Sequence, residues 1–456
     1  MPLKRSRLFS ARLLPVALAL ALSGFQSAQA EDLVELYNAA RAYDATFLSI
    51  RAQAESAEYA AAQAKALRLP GVSATVTGSR TEAEAAQAMP PATSTERVGG
   101  NSVESRLNAK QSLFNAANSA TIAQANKRVE EARIALAAAE QDLIVRVAQA
   151  YFDVLSAQDA LNTARSNRTA ITEQLASAKR NFEVGTATIT DTREAQARFD
   201  LASAQEIVAE NDLRTKRIAL DQLVGRANVN PQPLAAPVAL PPVVPADPQQ
   251  WSQTAAAANP AIRRSMLELD VAKLETDKAR AGHLPTVDLV ASAGTDRSWG
   301  TIARAQGNWG TGKSATVGVQ LNIPLFSGFS VQNRVKETLT LEEKARQDLE
   351  AARRDADQRT RTAYFGVQSG LAQVKALEAA EASSKLALEA TQLGYKVGVR
   401  VNLDVLNAQN QLFQTQRDLA RARYDVLVRQ LQLRQVAGNL TPEDLGAVNQ
   451  LLAKAP

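Results

Sequence analysis

Phe182-Glu183-Val184-Gly185 and Tyr395-Lys396-Val397-Gly398 are two versions of one phrase, 213 residues apart. Each closes a very long run of helix-forming residues. Asn115–Asn181 holds neither Pro nor Gly, and a helix of that length, at about 1.5 Å per residue, extends on the order of 100 Å. Ser330–Leu393 is comparable, interrupted only by Gly366 and Gly370. Glycine adopts positive φ without steric cost, so Gly185 and Gly398 read as turns that send the chain back into a second helix. The expected pairs are helices 115–182 and 188–225, then 330–393 and 402–437. In the last of these Val405, Leu412, Leu419, Val426 and Leu433 recur every seventh residue, the pattern of a coiled-coil seam. Asp404, Gln411, Asp418 and Asp425 keep the opposite series polar.

The same offset relates other segments. Ala150-Tyr151-Phe152 matches Ala363-Tyr364-Phe365, and Leu223-Val224-Gly225 falls on Val436-Ala437-Gly438. With small slips, Leu69-Pro70 corresponds to Leu284-Pro285 and Ser112-Leu113-Phe114 to Pro324-Leu325-Phe326. The chain is a duplication, residues 31–227 and 249–439, joined by a Pro- and Ala-rich connector at 228–248 and followed by a tail at 440–456. Each copy opens with a helix, expected over 33–67 and 251–280, that Leu-Pro ends because Pro disfavours helical geometry in the residue before it. Strands are expected at 71–81 and 102–114, then at 286–296 and 314–326, around outer loops Thr81–Gly100 and Arg297–Lys313. Val103, Ser105, Leu107 and Ala109 oppose Glu104, Arg106, Asn108 and Lys110; Ala315, Val317, Val319, Leu321 and Ile323 oppose Thr316, Gly318, Gln320 and Asn322. Such period-two segments fit outer-membrane barrel strands, or, one at a time, an ordinary half-solvated sheet.

Composition narrows the function. There is no Cys and a single His, His283, which excludes thiolate chemistry and any multi-histidine metal centre within one chain. No cofactor is expected, and nucleophile–base catalysis has almost nothing to use. Residues 1–30 read as a signal peptide: Lys4, Arg5, Arg7 and Arg12, an apolar run from Leu13 to Leu22, then Ala28-Gln29-Ala30 before Glu31. Four of the five net positive charges lie there, which leaves about +1 and no case for nucleic acid. With no Cys, an N-terminal lipid anchor has no acceptor. Beyond the signal no apolar run reaches the ~18 residues of a transmembrane helix, so any membrane-spanning part must be a β-barrel. Four strands cannot close one. Several copies must pool theirs, and three copies give 12 strands, enough for an aqueous passage.

These features resemble the TolC family of outer-membrane efflux proteins: the signal, the duplicated strand–loop–strand between long helices, the paired Val-Gly turns, and Gly398-Val399-Arg400-Val401-Asn402-Leu403-Asp404-Val405-Leu406-Asn407-Ala408. The resemblance implies a mainly α fold with a small β part, a long α-helical barrel in the periplasm and a trimeric 12-stranded outer-membrane β-barrel. It implies a homotrimer in outer-membrane lipid that exports proteins or small toxic compounds with a periplasmic adaptor and an inner-membrane transporter. The connector and the tail would form an equatorial belt. The alternative is a soluble periplasmic adaptor or structural coiled-coil protein, although adaptors usually have one coiled-coil hairpin and larger β domains.

The resemblance also assigns roles at the helix tips. Tyr395 and Arg400 would contact Thr190 and Asp191 and hold a periplasmic gate. Asp404 would form a ring of three carboxylates at the entrance that binds multivalent cations; the acid that the family places three residues on is replaced here by Asn407. Val184, Gly185, Val397 and Gly398 would border adaptor-docking grooves. Independently of the resemblance, Thr188-x-x-Asp191 reads as a helix capping box, and Arg400 alone reads as a solvated surface residue. Trp299 and Trp309 flank the second outer loop, where they anchor at a lipid interface or pack the loop.

Overall fold

The computed structural model describes residues 31–89, 92–235, 237–305 and 307–453; side chains 85–96 and 305 are not described. The expected signal peptide lies outside these residues. The described residues divide into two compact units, residues 31–48, 139–258 and 357–453 in one, and 49–138 and 259–356 in the other. The two longest helices, α3 (Ala116–Glu183) and α8 (Ser330–Lys396), contribute residues to both.

In the second unit, β1 (Gly71–Met89), β2 (Ala92–Phe114), β3 (Thr286–Gly300) and β4 (Gly310–Asn322) form one antiparallel sheet in sequence order. The register places Val72, Ala74 and Val76 beside Ala109, Leu107 and Ser105. It continues through Ala291, Ala293 and Thr295 to Val317, Ala315 and Lys313. Leu289 and Val319 extend the same face, on which Val72, Val76, Leu107, Val317, Val319 and Leu321 all stand exposed. The opposite face carries Ser73, Thr75, Glu104, Arg106, Asn108, Lys110, Asp288 and Gln320, with Lys110 paired to Asp288 at 2.9 Å. From Val287 to Thr295 this face runs for nine residues of β3, apolar as far as Ala293 and ending in the row of Thr295 and Lys313, a length that matches the roughly 9–11 residues of a tilted membrane-crossing strand. Trp299 stands exposed beyond one end, and exposed Phe114, Phe326 and Phe329 mark the other, with Phe326 and Phe329 edge-to-face at 5.5 Å. β1 and β4 each have a free edge within the chain.

The strands differ from expectation at their outer ends. The first expected loop is not a loop: β1 and β2 stay paired from Gly71↔Lys110 to Met89↔Ala92. The only prolines between residues 71 and 114 are Pro90 and Pro91, so nothing before them stops each added pair from satisfying its backbone groups across the ladder. In the second loop β3 runs on to Gly300, and a five-residue helix α7 (Thr301–Ala305) precedes β4. β4 ends at Asn322, short of the expected 326.

The first helix of each copy is broken in two. Asp44 separates α1 (Leu33–Tyr43) from α2 (Ala45–Lys65), and Asn259 separates α5 (Pro248–Ala258) from α6 (Pro260–Arg280). Both are caps: Asp44 Oδ2 accepts from Phe47 N at 2.8 Å, and Asn259 Oδ1 accepts from Ala261 N at 2.8 Å, with Pro260 at the first helical position. Asp44 also accepts from Arg146 at 2.9 Å, and this hydrogen bond holds its carboxyl below the usual range.

In the first unit α3, α8, α4 (Ile189–Val224) and α9 (Asn402–Ala437) supply two helical hairpins. The connector and the tail pack together, Ala235 N donating to Leu451 O at 2.9 Å and Ala453 N to Pro233 O at 2.8 Å, next to α10 (Pro442–Asn449). The repeated tyrosines bind this connector in both copies. The Tyr151 hydroxyl donates to Gln232 O at 2.9 Å, and the Tyr364 hydroxyl to Ala246 O at 2.5 Å. Tyr151 sits edge-on to Phe152, which stacks on Tyr424 at 5.6 Å.

Candidate functional site

The two hairpin tips are built alike. Gly185 and Gly398 share a φ of 77°. Gly185 N donates to Phe182 O, and Thr186 N and Ala187 N both reach Asn181 O at 2.8 and 3.1 Å. Gly398 N donates to Tyr395 O, and Val399 N and Arg400 N both reach Gly394 O at 2.9 and 3.1 Å. A positive-φ residue after the last helical turn lets the final amides return to orphan carbonyls, and Gly does this without Cβ strain. Val184 and Val397 are exposed at the turns, as is Val399.

The tips diverge where the second helix begins. Thr188 caps α4, and its N and Oγ1 both donate to Asp191 Oδ2, at 2.9 and 2.7 Å, while Asp191 N donates back to Thr188 Oγ1. Val401 occupies the same place before α9 and has no side-chain oxygen to offer. Asp404, the counterpart of Asp191, is therefore not held by a cap. Its carboxylate meets Arg400 at 3.5 Å in a pair that is largely solvent-exposed. Gly394 makes room for Arg400, since a Cβ there would come within 2.8 Å of Arg400 Cγ.

The contacts implied for Tyr395 and Arg400 are not the ones present among the described residues. Tyr395 Oη accepts from Asn181 Nδ2 at 3.2 Å, and Arg400 pairs with Asp404. Asp191 is occupied by its own cap, which physically accounts for its having no cross-hairpin partner, and Thr190 is exposed in the first turn of α4. Asn407 accepts from Arg198 at 3.0 Å, and Gln174 donates to the buried Asn402. Towards the tips, three polar contacts among the described residues thus join the hairpins: Asn181–Tyr395, Gln174–Asn402 and Arg198–Asn407. They flank an apolar cluster of Ile171, Leu175, Ala178, Ala195, Ala202 and Leu406.

Sequence reading missed Asn181, Gln174, Arg198 and Asn402. A signal was available, because the two repeats differ at Asn181 against Gly394 and at Thr188 against Val401, where the structure has different contacts. Farther along α3 and α9, the Tyr424 hydroxyl donates to Asp159 Oδ2 at 2.7 Å. Burial pushes both groups up, Asp159 above the usual carboxylate range with Tyr424 partly offsetting it, and Tyr424 above the usual phenol range. No helix among the described residues is long and apolar enough to cross a membrane.

A family model described as outer membrane efflux protein matches residues 36–226 and 251–439. The outer membrane protein TolC of Vibrio cholerae is 32% identical over 444 residues, 96% of this chain and 98% of that protein. TolC of Escherichia coli is 30% identical over 455 residues, 97% of this chain and 90% of that protein. The alkaline protease secretion protein AprF of Pseudomonas aeruginosa is 36% identical over 310 residues, 68% of this chain and 64% of that protein. Among solved structures, the Campylobacter jejuni CmeC outer membrane channel shares the fold with a TM-score of 0.75 at 17% identity, over 93% of this chain and 90% of that one. The duplicated sheet-and-hairpin architecture, the family model and the two near-full-length TolC matches agree: the chain belongs to the outer membrane efflux protein family, whose place is the bacterial outer membrane.

Proposed function

We propose that three copies of this chain pool their strands into one 12-stranded barrel and their hairpins into a helical duct on its periplasmic side. Proteins or small toxic compounds would pass through it when a periplasmic adaptor and an inner-membrane transporter dock at the tips. The observation that carries this reading is the sheet: both edges are open, one face is apolar and exposed over a membrane-length span, and the other is polar. Open edges are not tolerated in lipid, so the strands must be completed by other copies. The polar face then lines water.

Within that duct the tips act as a gate. Asn181–Tyr395, Gln174–Asn402 and Arg198–Asn407 tie the second hairpin to the first, and Arg400–Asp404 stiffens the turn. A hydrogen bond contributes only about 0.5–1.5 kcal/mol net and an exposed ion pair only about 0–1 kcal/mol, so the latch is weak enough for an adaptor to release. Asp404, unclaimed by a cap and held only by its exposed pair with Arg400, is the carboxylate placed to face the passage. Three of them would bind multivalent cations.

Single-channel recording in planar bilayers tests both parts. Tyr395→Phe with Arg400→Ser should raise unitary conductance, and Asp404→Ala should weaken block by a multivalent cation. Conductance and block equal to wild type would remove these residues from the gate; no discrete conductance from the wild type would remove the channel itself.

A further inference from the structure

Most cations of the sheet have a partner of their own. Arg80 pairs with Glu82 at 2.7 Å, Arg97 with Glu84 at 2.9 Å, and Lys110 with Asp288 at 2.9 Å; Arg106 pairs with Glu104, and Arg304 of α7 lies over the Trp309 ring at 5.5 Å. Arg297 and Lys313 are the exceptions: both side chains are exposed, and neither makes a hydrogen bond or ion pair among the described residues.

The register brings the two together. Arg297 stands opposite Thr311 and Lys313 opposite Thr295 on the antiparallel β3–β4 pair, so the two residues are diagonal neighbours on one face, with their backbone positions about 7–8 Å apart. Two like charges on neighbouring positions of one face, with no acid on that face between them, repel each other unless an anion joins them. The threonine hydroxyls complete a four-residue patch of two cations and two donors.

The position of the patch identifies the anion. Thr295 and Lys313 lie in the same row as Val76 and Ser105, immediately beyond the row of Ala74, Leu107, Ala293 and Ala315. The patch therefore continues the exposed apolar face at its outer end, towards the β-hairpin turns and away from the long helices. Trp299, two residues beyond Arg297 on the same face, is exposed there. We infer that Arg297 and Lys313 bind the phosphate of an anionic lipid headgroup in the outer leaflet while its acyl chains lie along the apolar face. The inference rests on reading that face as lipid-facing. A cation beside an anionic membrane surface is worth about a factor of five in retention, so the pair is worth about 25-fold.

The full chain reconstituted in phosphatidylcholine nanodiscs doped with lipid A, or with its dephosphorylated form, tests this after mild detergent extraction and mass spectrometry of retained lipid. Wild type should keep the phosphorylated form preferentially, Arg297→Gln with Lys313→Gln should lose at least tenfold of that preference, and Arg80→Gln, which removes a cation already neutralised by Glu82, should retain it. Equal retention of both lipids by wild type, or an unchanged preference in the double variant, overturns the inference. Displacement of the preference by inorganic phosphate with no dependence on acyl chains also overturns it. The lipid-facing reading has its own readout: both proteins should insert and conduct in phosphatidylcholine bilayers, and a wild type that fails to insert sinks that reading and the inference with it.

Discussion

At the residue scale, the tips show how one position decides what an acid can do. Asp191 and Asp404 are duplicates of one residue, but Thr188 commits the first to its own helix and Val401 leaves the second available. Near the connector the decisive pair is Tyr424 and Asp159, which joins α9 to α3 across the two repeats. Burial raises the native pKa of Asp159 above its unfolded value, with the Tyr424 hydroxyl partly offsetting the rise. Ionised Asp159 therefore opposes folding at neutral pH, and the opposition disappears as pH falls below the ordinary carboxylate value. Tyr424→Phe removes the donor and leaves that charge without its hydrogen bond, at a cost of about 1–3 kcal/mol. Thermal unfolding should show this cost at about pH 7 and a smaller one at about pH 3, below the ordinary carboxylate value, where the raised pKa leaves Asp159 protonated. An equal cost at both would mean that the charge is not what the hydroxyl stabilises.

At the element scale, the capping box predicts that the two tips differ in local stability. Thr188→Ala should cost about 1 kcal/mol and speed amide exchange at residues 189–192, whereas Val401→Thr should slow it at residues 402–405 by letting Asp404 close the same box. Exchange that ignores both substitutions would show that the caps do not limit fraying there. Much of this level was legible in the sequence. The paired Val-Gly turns located both reversals because only glycine takes that φ cheaply. Period-two alternation identified the apolar face of the strands, since a strand's side chains must alternate. Less legible were the breaks at Asp44 and Asn259, although Asn259-Pro260 is a cap followed by the residue best suited to the first helical position. The extra length of β1 and β2 had no periodic signal, because Thr, Ser and Glu serve a solvated ladder as well as a loop. The cross-hairpin contacts of Asn181, Gln174 and Arg198 depend on which helices lie side by side, and helix periodicity does not encode that.

At the scale of the whole molecule, the chain is incomplete by its own physics. Two strand edges lack partners, an apolar face stands in the open, and a polar face has nothing to enclose. One arrangement answers all three: copies joined edge to edge, apolar side outward, around water. A four-stranded contribution makes two copies too narrow for a passage and three copies wide enough. The most direct measurement is electron microscopy of the purified, detergent-solubilised protein with class averaging. Hollow particles with threefold symmetry are the result predicted; solid particles, or ones of any other symmetry, would contradict the account.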